Sequence, residues 1–187
     1  MPPKDYVGVI LFGRRKGNRP EPLDRWRLAS EDKTVRDRLE GVLNSGRFRV
    51  LLDSADSVQL EMVQWDQSGV IHHCDGAVIL SPAERIGTPC GCPLEIEKRK
   101  NCAANGLGPQ PGVRVEFRIA DCPEVGTFAF RSSSWAFFGA AVALKNELAG
   151  RGGRVLCNLF IEAVELRSTG GAFLTHFQPL IAAVESR

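Results

Sequence analysis

Four of the six cysteines in this 187-residue chain fall between positions 74 and 102, spaced Cys74-x15-Cys90-x-Cys92-x9-Cys102. The stretch that carries them, HHCDGAVILSPAERIGTPCGCPLEIEKRKNC, is poor in large apolar residues after Leu80. It is closed by NGLGPQPG (105–112), whose glycines and prolines pack little. Such a segment reads as loop and cannot order itself by burial. The rest of the chain needs no such help, because a domain of this length with 43% hydrophobic residues can bury a core without cross-links.

A structural zinc ion would supply the missing order. Zinc takes four soft or borderline ligands in a tetrahedron, often all thiolates. Cys90-Gly91-Cys92 makes one half-site, and its glycine lets the chain turn around a metal. Cys74 and Cys102 supply the other half from either side. Cys74, Cys90, Cys92 and Cys102 are therefore the expected ligands. His72 and His73 are substitutes for one cysteine, but with four thiols at hand they are read as neighbours of the site. Three alternatives compete. Disulfides suit an oxidising compartment, and a Cys90–Cys92 bond would be strained. A catalytic thiol needs a well-placed base, and none stands out. Inert buried cysteines are common, yet they seldom cluster in a loop. Cys122 and Cys157, in a turn and an apolar strand, are expected to be packing residues.

The flanking sections alternate clearly. Residues 6–12 read as a strand, and 14–22 (RRKGNRPEP) as a basic loop. A second strand at 23–30 carries Trp26 and Leu28 on one face. Ser30 is expected to cap a helix through Val35, Leu39, Val42 and Leu43, stopped by Asn44-Ser45-Gly46. Residues 57–65 alternate again, with Val58, Leu60 and Met62 on one face. Beyond the cysteines, VRVEFRI (113–119) places Val113, Val115, Phe117 and Ile119 on one face. Residues 121–126 read as a turn and 127–131 as a strand. Ser132–Ser134 can cap a helix to Leu148, ended by Gly150. Strands at 155–166 and 172–180 are joined by the turn Ser168-Thr169-Gly170-Gly171.

The fold class implied is α+β. Two β-β-α-β sections, 1–68 and 113–187, flank a zinc-binding segment at 69–112. Trp26, Leu28 and Ser30 precede the first helix as Phe128, Phe130 and Ser132 precede the second, a pattern that an internal duplication would leave. The same order is common without any duplication.

Enzyme signals are thin. A closed four-thiolate site leaves no position for substrate or water, which argues against metal-assisted hydrolysis. Tyr6 and His176 lie in expected strands, Ser132–Ser134 suits helix capping, and no phosphate-binding glycine loop is present. The expectation is a protein that is not an enzyme. A net charge of +2 is too small to argue for nucleic-acid binding. The apolar stretch YVGVILF near the start is too short for a membrane span of ~18 residues and has no cleavage-site pattern. The expected compartment is the cytoplasm of a bacterial host cell, where thiols stay reduced.

RPEPLDRWRLAS, HHCDG, TPCGCP, the later NC and VRVEFRIADCPEVGTFAFRSSSWAFFGAAVAL together resemble the recombination directionality factors of Streptomyces-type phages, whose relatives occur in actinobacterial genomes. The resemblance spans roughly residues 6 to 180. Its strongest elements are the ordered cysteines and the G-x-F-x-F-x-S block of Gly126, Phe128, Phe130 and Ser132. It implies a non-enzymatic partner of a large serine integrase that suppresses integration and enables excision. DNA would be met mainly through the integrase complex. By position, the metal cluster Cys74, Cys90, Cys92 and Cys102 carries over. Candidate partner contacts are the basic loop Arg14, Arg15, Lys16 and Arg19, and the charged run Glu95, Glu97, Lys98, Arg99 and Lys100. The competing reading is a nucleic-acid-binding module with zinc ordering a basic loop. Against it stand the near-neutral charge and the lack of aromatics interleaved with Arg and Lys.

Overall fold

The computed structural model describes residues 6–17, 19–151, 153–167, 171 and 173–184. Among these residues, ten strands and three α-helices form a mixed α+β architecture. The chain runs β1 (Gly8–Lys16), β2 (Arg19–Ala29), α1 (Lys33–Leu43), β3 (Arg47–Leu52), β4 (Val58–Asp66), β5 (Gly69–Cys74) and β6 (Ile79–Ser81). It continues through α2 (Ile96–Ala104), β7 (Gln110–Ile119), β8 (Phe128–Ser132), α3 (Trp135–Ala149), β9 (Val155–Arg167) and β10 (Phe173–Ala183).

The strands share one sheet in the order β10-β9-β3-β7-β4-β5-β6, with β8, β1 and β2 branching from β7. β7 is the hub: it pairs antiparallel with β4, with β8 and, at its end, with β3. Its alternation explains this role. Val113, Val115, Phe117 and Ile119 are all buried, so one face of the strand is committed to the core over its whole length. β8 then pairs parallel with β1, which forms an antiparallel hairpin with β2.

The core is aromatic at its centre. Trp26 meets Phe130 edge-on at 5.3 Å and Phe48 at 5.7 Å between ring centroids, and Phe130 meets Phe137 at 5.0 Å. Such edge-to-face contacts contribute beyond area burial. The indole N–H donates to Gly46 O at 3.1 Å, so the Trp26 side chain is buried without an unpaired donor. The helix α3, capped by Ser134 and ended at Gly150 as expected, buries Phe137, Phe138, Ala141, Leu144 and Leu148.

Several elements differ from their sequence expectations. Residues 14–22 are not a loop: β1 runs on to Lys16 and β2 starts at Arg19, with Gly17 turning at φ +61°. Pro20 and Pro22 are tolerated there because β2 pairs only with β1, and an edge strand need not donate on its free side. Helix α1 is capped by Asp32, whose Oδ1 accepts from Thr34 and Val35 N–H. Ser30 Oγ is used elsewhere, donating to Val7 O at 2.7 Å. A strand absent from the sequence reading, β3, buries Phe48, Val50 and Leu52. The cysteine segment is also more regular than expected, with β5, β6 and α2 inside it. The turn residues 168–170 lie outside the described residues.

Candidate metal centre

Strand β5 ends on Cys74, and His72 stands two residues earlier. Side chains two apart on a strand share a face, so His72 and Cys74 point the same way. His73 points to the other face, where its Nδ1 lies 3.0 Å from Ser81 Oγ. After Cys74 the chain turns. Asp75 Oδ1 accepts from Ala77 and Val78 N–H, each at 2.8 Å. Cys90 N–H donates to Ala77 O at 2.9 Å, which brings the second thiol pair alongside the first. Gly91 adopts φ +75°, and Cys92 N–H donates to Cys90 Sγ at 3.4 Å.

The result is a group of four potential ligand atoms from His72, Cys74, Cys90 and Cys92, all within 4.8 Å of one another, which could hold a metal ion. Cys74 Sγ and Cys92 Sγ are 3.8 Å apart, and Cys92 Sγ is 3.4 Å from His72 Nε2. Cys74 is buried; Cys90, Cys92 and His72 are half-buried. Burial pushes the Cys74 thiol up to about 12 and raises Cys92 as well. Burial also lowers His72, with the charges of Arg85 and His73 acting in the same sense. Without a metal, burial thus favours the neutral His72 imidazole and the protonated Cys74 and Cys92 thiols. A cation would reverse this by displacing the thiol protons.

Three of the four expected ligands thus come together, and the set differs at the fourth. His72 is in the group and Cys102 is not. The reason lies in α2, which carries Cys102 on a half-buried face against Gly108; a Cβ at 108 would lie 3.0 Å from Cys102 Cβ. The spacing His72-x-Cys74 mirrors Cys90-x-Cys92. It is informative only once β5 is known to extend through Cys74, because in a loop the two-residue period has no meaning.

Arg99 on α2 ties the two halves of the site together. Its Nη2 donates to Gly76 O at 2.7 Å, its Nε donates to Pro93 O, and its Nη1 lies 3.7 Å from Met62 Sδ. Gly76, at φ +97°, has no room for a side chain: a Cβ there would lie 2.4 Å from Arg99 Nη1. Arg99 was expected as a surface contact, and instead it is turned inward. Its neighbours Lys98 and Lys100 are exposed and paired with Glu95 and Glu97. Arg14 is paired with Glu21 at 2.5 Å. The side chains of Arg15, Lys16 and Arg19 lie outside the described residues. Cys122 and Cys157 are both buried in the core, in keeping with packing roles.

Among the described residues, no helix is long and apolar enough to cross a membrane. A family model described as Gp3-like, recombination directionality factor-like, matches residues 7–154. No solved structure matches the chain.

Proposed function

Because the chain belongs to the Gp3-like, recombination directionality factor-like family, a family of recombination, we propose that it binds a large serine integrase and switches it from integration to excision. The observation that carries this reading is the family match over residues 7–154. The factor would act without catalysing a step of its own, leaving strand cleavage to the integrase. It can do so only by binding one arrangement of the integrase more tightly than another. That requires a surface of defined shape, and the metal cluster would give one to a segment with little core of its own.

The ion proposed is zinc, held by His72, Cys74, Cys90 and Cys92. Two Zn–S bonds of about 2.3 Å at the tetrahedral angle place the sulfurs about 3.8 Å apart, and a sulfur–nitrogen edge comes to about 3.6 Å. The observed separations are 3.8 Å and 3.4 Å. Four protein ligands close the coordination sphere, so the ion would order the chain rather than present a reactive position. The exposed run around Lys98 and Lys100 remains a proposed contact for the partner, with Arg99 assigned to the interior.

The test is recombination in vitro with the cognate large serine integrase and its attachment sites. Addition of the protein should suppress recombination between the phage and bacterial attachment sites and permit it between the product sites. Unchanged direction at saturating protein, with the protein folded and metal-loaded, would refute the reading.

A further inference from the structure

Beyond the metal cluster, a cleft of about 750 Å³ opens over β4, β5, β7 and β8, with Lys145 of α3 on its wall. Its floor is a cross-strand row. Gln59 on β4 faces Arg114 on β7, and Arg114 faces Arg131 on β8. Residues directly opposite share a face of the sheet, so two arginine side chains leave the same face from neighbouring strands, a like-charge pairing that is unfavourable. Gly112 makes room for its cross-strand neighbour Glu61, whose Cγ would lie 2.9 Å from a Cβ there.

The hydrogen bonds in this cleft leave some donors unused. Two buried side-chain nitrogens lack a partner among the described residues, Arg114 Nε and His73 Nε2, and both residues line this cleft. His73 Nε2 is 3.4 Å from Glu61 Oε2, without hydrogen-bond geometry. Arg114 uses only Nη2, on Glu116 at 3.2 Å. Arg131 is exposed and makes no hydrogen bond or ion pair among the described residues. Lys145 gives one proton to Val58 O at 2.9 Å and keeps two. Of the two acids that line the cleft, Asp75 already accepts two backbone N–H groups, and Glu61 lies on the His73 side. The unused donors are concentrated on the β7–β8 side, at Arg114 Nε and Arg131, and a buried orphan donor signals a missing acceptor.

We infer that this cleft is an oxyanion site that takes a phosphoryl group, with Arg131, Arg114 Nε and Lys145 as its donors. A phosphoryl group offers several acceptor oxygens to converging donors and relieves the repulsion between the paired arginines. Such a group reaches the cleft either as part of a nucleic-acid backbone or as a free phosphate or small phosphate ester. The site stands apart from the integrase reading and needs neither integrase nor attachment-site DNA to be tested.

The experiment is a titration of the metal-loaded ¹⁵N-labelled protein with inorganic phosphate in low-chloride buffer, with acetate as a control, followed by two-dimensional NMR. Phosphate should shift amides of β4, β7 and β8 and the turn at Ser132–Ser133, and acetate should do so far more weakly. R131A, at an exposed position, should weaken phosphate binding about tenfold or more, as expected for losing a charge-assisted hydrogen bond. R131K should fall between, keeping the charge and losing the planar fork. A short duplex of arbitrary sequence separates the two sources. Phosphate-competed shifts at the same amides assign the nucleic-acid backbone, and their absence alongside phosphate binding assigns a small phosphate. Equal phosphate affinity in wild type and R131A, or no localised shifts at tens of millimolar phosphate, would overturn the site.

Discussion

Cys157 and Cys74 are both buried, and burial pushes both thiols up to about 12. They nevertheless belong to regions held by different means. Cys157 lies in β9 among Val155 and Leu159, in a sheet whose alternating side chains make a continuous apolar core. Cys74 ends β5 with Cys92 Sγ 3.8 Å away, next to loops that expose Ile86 and Leu94. The perturbed thiol is the same in each; what separates a packing cysteine from a candidate ligand is its company. The sheet derives its order from area removed from water. The segment between β5 and α2 derives its order from a few directed contacts, those of Asp75, Arg99 and the cluster, and would need an ion to complete it.

That contrast breaks most sharply on metal removal. Binding of structural zinc to small domains contributes about 10–16 kcal/mol at neutral pH, more than a whole domain's usual stability. Stripping the ion with a chelator should therefore disorder residues between Cys74 and Ala104 while the sheet persists. Limited proteolysis should show new cuts confined to this segment, and thiol labelling should gain Cys90 and Cys92 but not Cys157. Cuts spread over β7 and β9, or labelling of Cys157, would show that the two regions do not separate. Cys92→Ser should reproduce the chelated pattern.

The converse perturbation strikes the sheet. Phe130 is packed between Trp26 and Phe137, so Phe130→Ala should cost about 3–5 kcal/mol of global stability. Denaturant unfolding would read this as a lowered midpoint. The folded variant should still bind one equivalent of metal, because no ligand rests on Phe130. Loss of metal from a folded Phe130→Ala protein would tie the two regions more closely than their contacts suggest.

Arg99 tests the segment from within, without touching a ligand. Arg99→Met keeps an unbranched apolar stem and removes the bonds to Gly76 O and Pro93 O. Metal affinity should fall about 10- to 100-fold, the range seen when groups supporting ligands are lost. Competition against a chromogenic chelator measures this. The midpoint of global unfolding of the metal-free protein should barely move. Unchanged affinity would mean that the ligand loops are placed by other contacts.

Where the sequence spoke clearly, it spoke through period. The strict alternation of 113–119 led directly to β7, because burial on one face enforces that spacing, and the serines before and the glycine after marked the two ends of α3. β3 was harder to see: Phe48, Val50 and Leu52 alternate, but over only six residues directly behind a helix end. The β1–β2 hairpin was hidden by its composition, since prolines and charges that mark a loop are equally at home on an edge strand. In the cluster, three thiols were legible from spacing alone. His72 was not, because its claim depends on the face it shares with Cys74, and Cys102 looked equivalent until the helix that carries it was placed.

The smallest effect belongs to the rim of the sheet. Asp53, just after β3, accepts from Arg118 on β7 at 2.5 Å and from Arg154 before β9 at 2.9 Å. Partial burial works against its charge, but the two guanidinium groups outweigh it and hold the carboxyl below its usual range. A depressed folded-state value means that this stabilisation is present above the unfolded value near pH 4 and is lost as pH falls through the folded one. Asp53 is more than half exposed, so screening limits the contribution to about 1 kcal/mol or less. Asp53→Asn should thus lower the unfolding midpoint slightly at pH 7 and in low salt, with the difference from wild type shrinking as the pH is taken below 4. A difference that holds constant down to pH 2 would show that the side chain acts through packing rather than charge. It would also mean that the sheet depends on burial even at its polar edge.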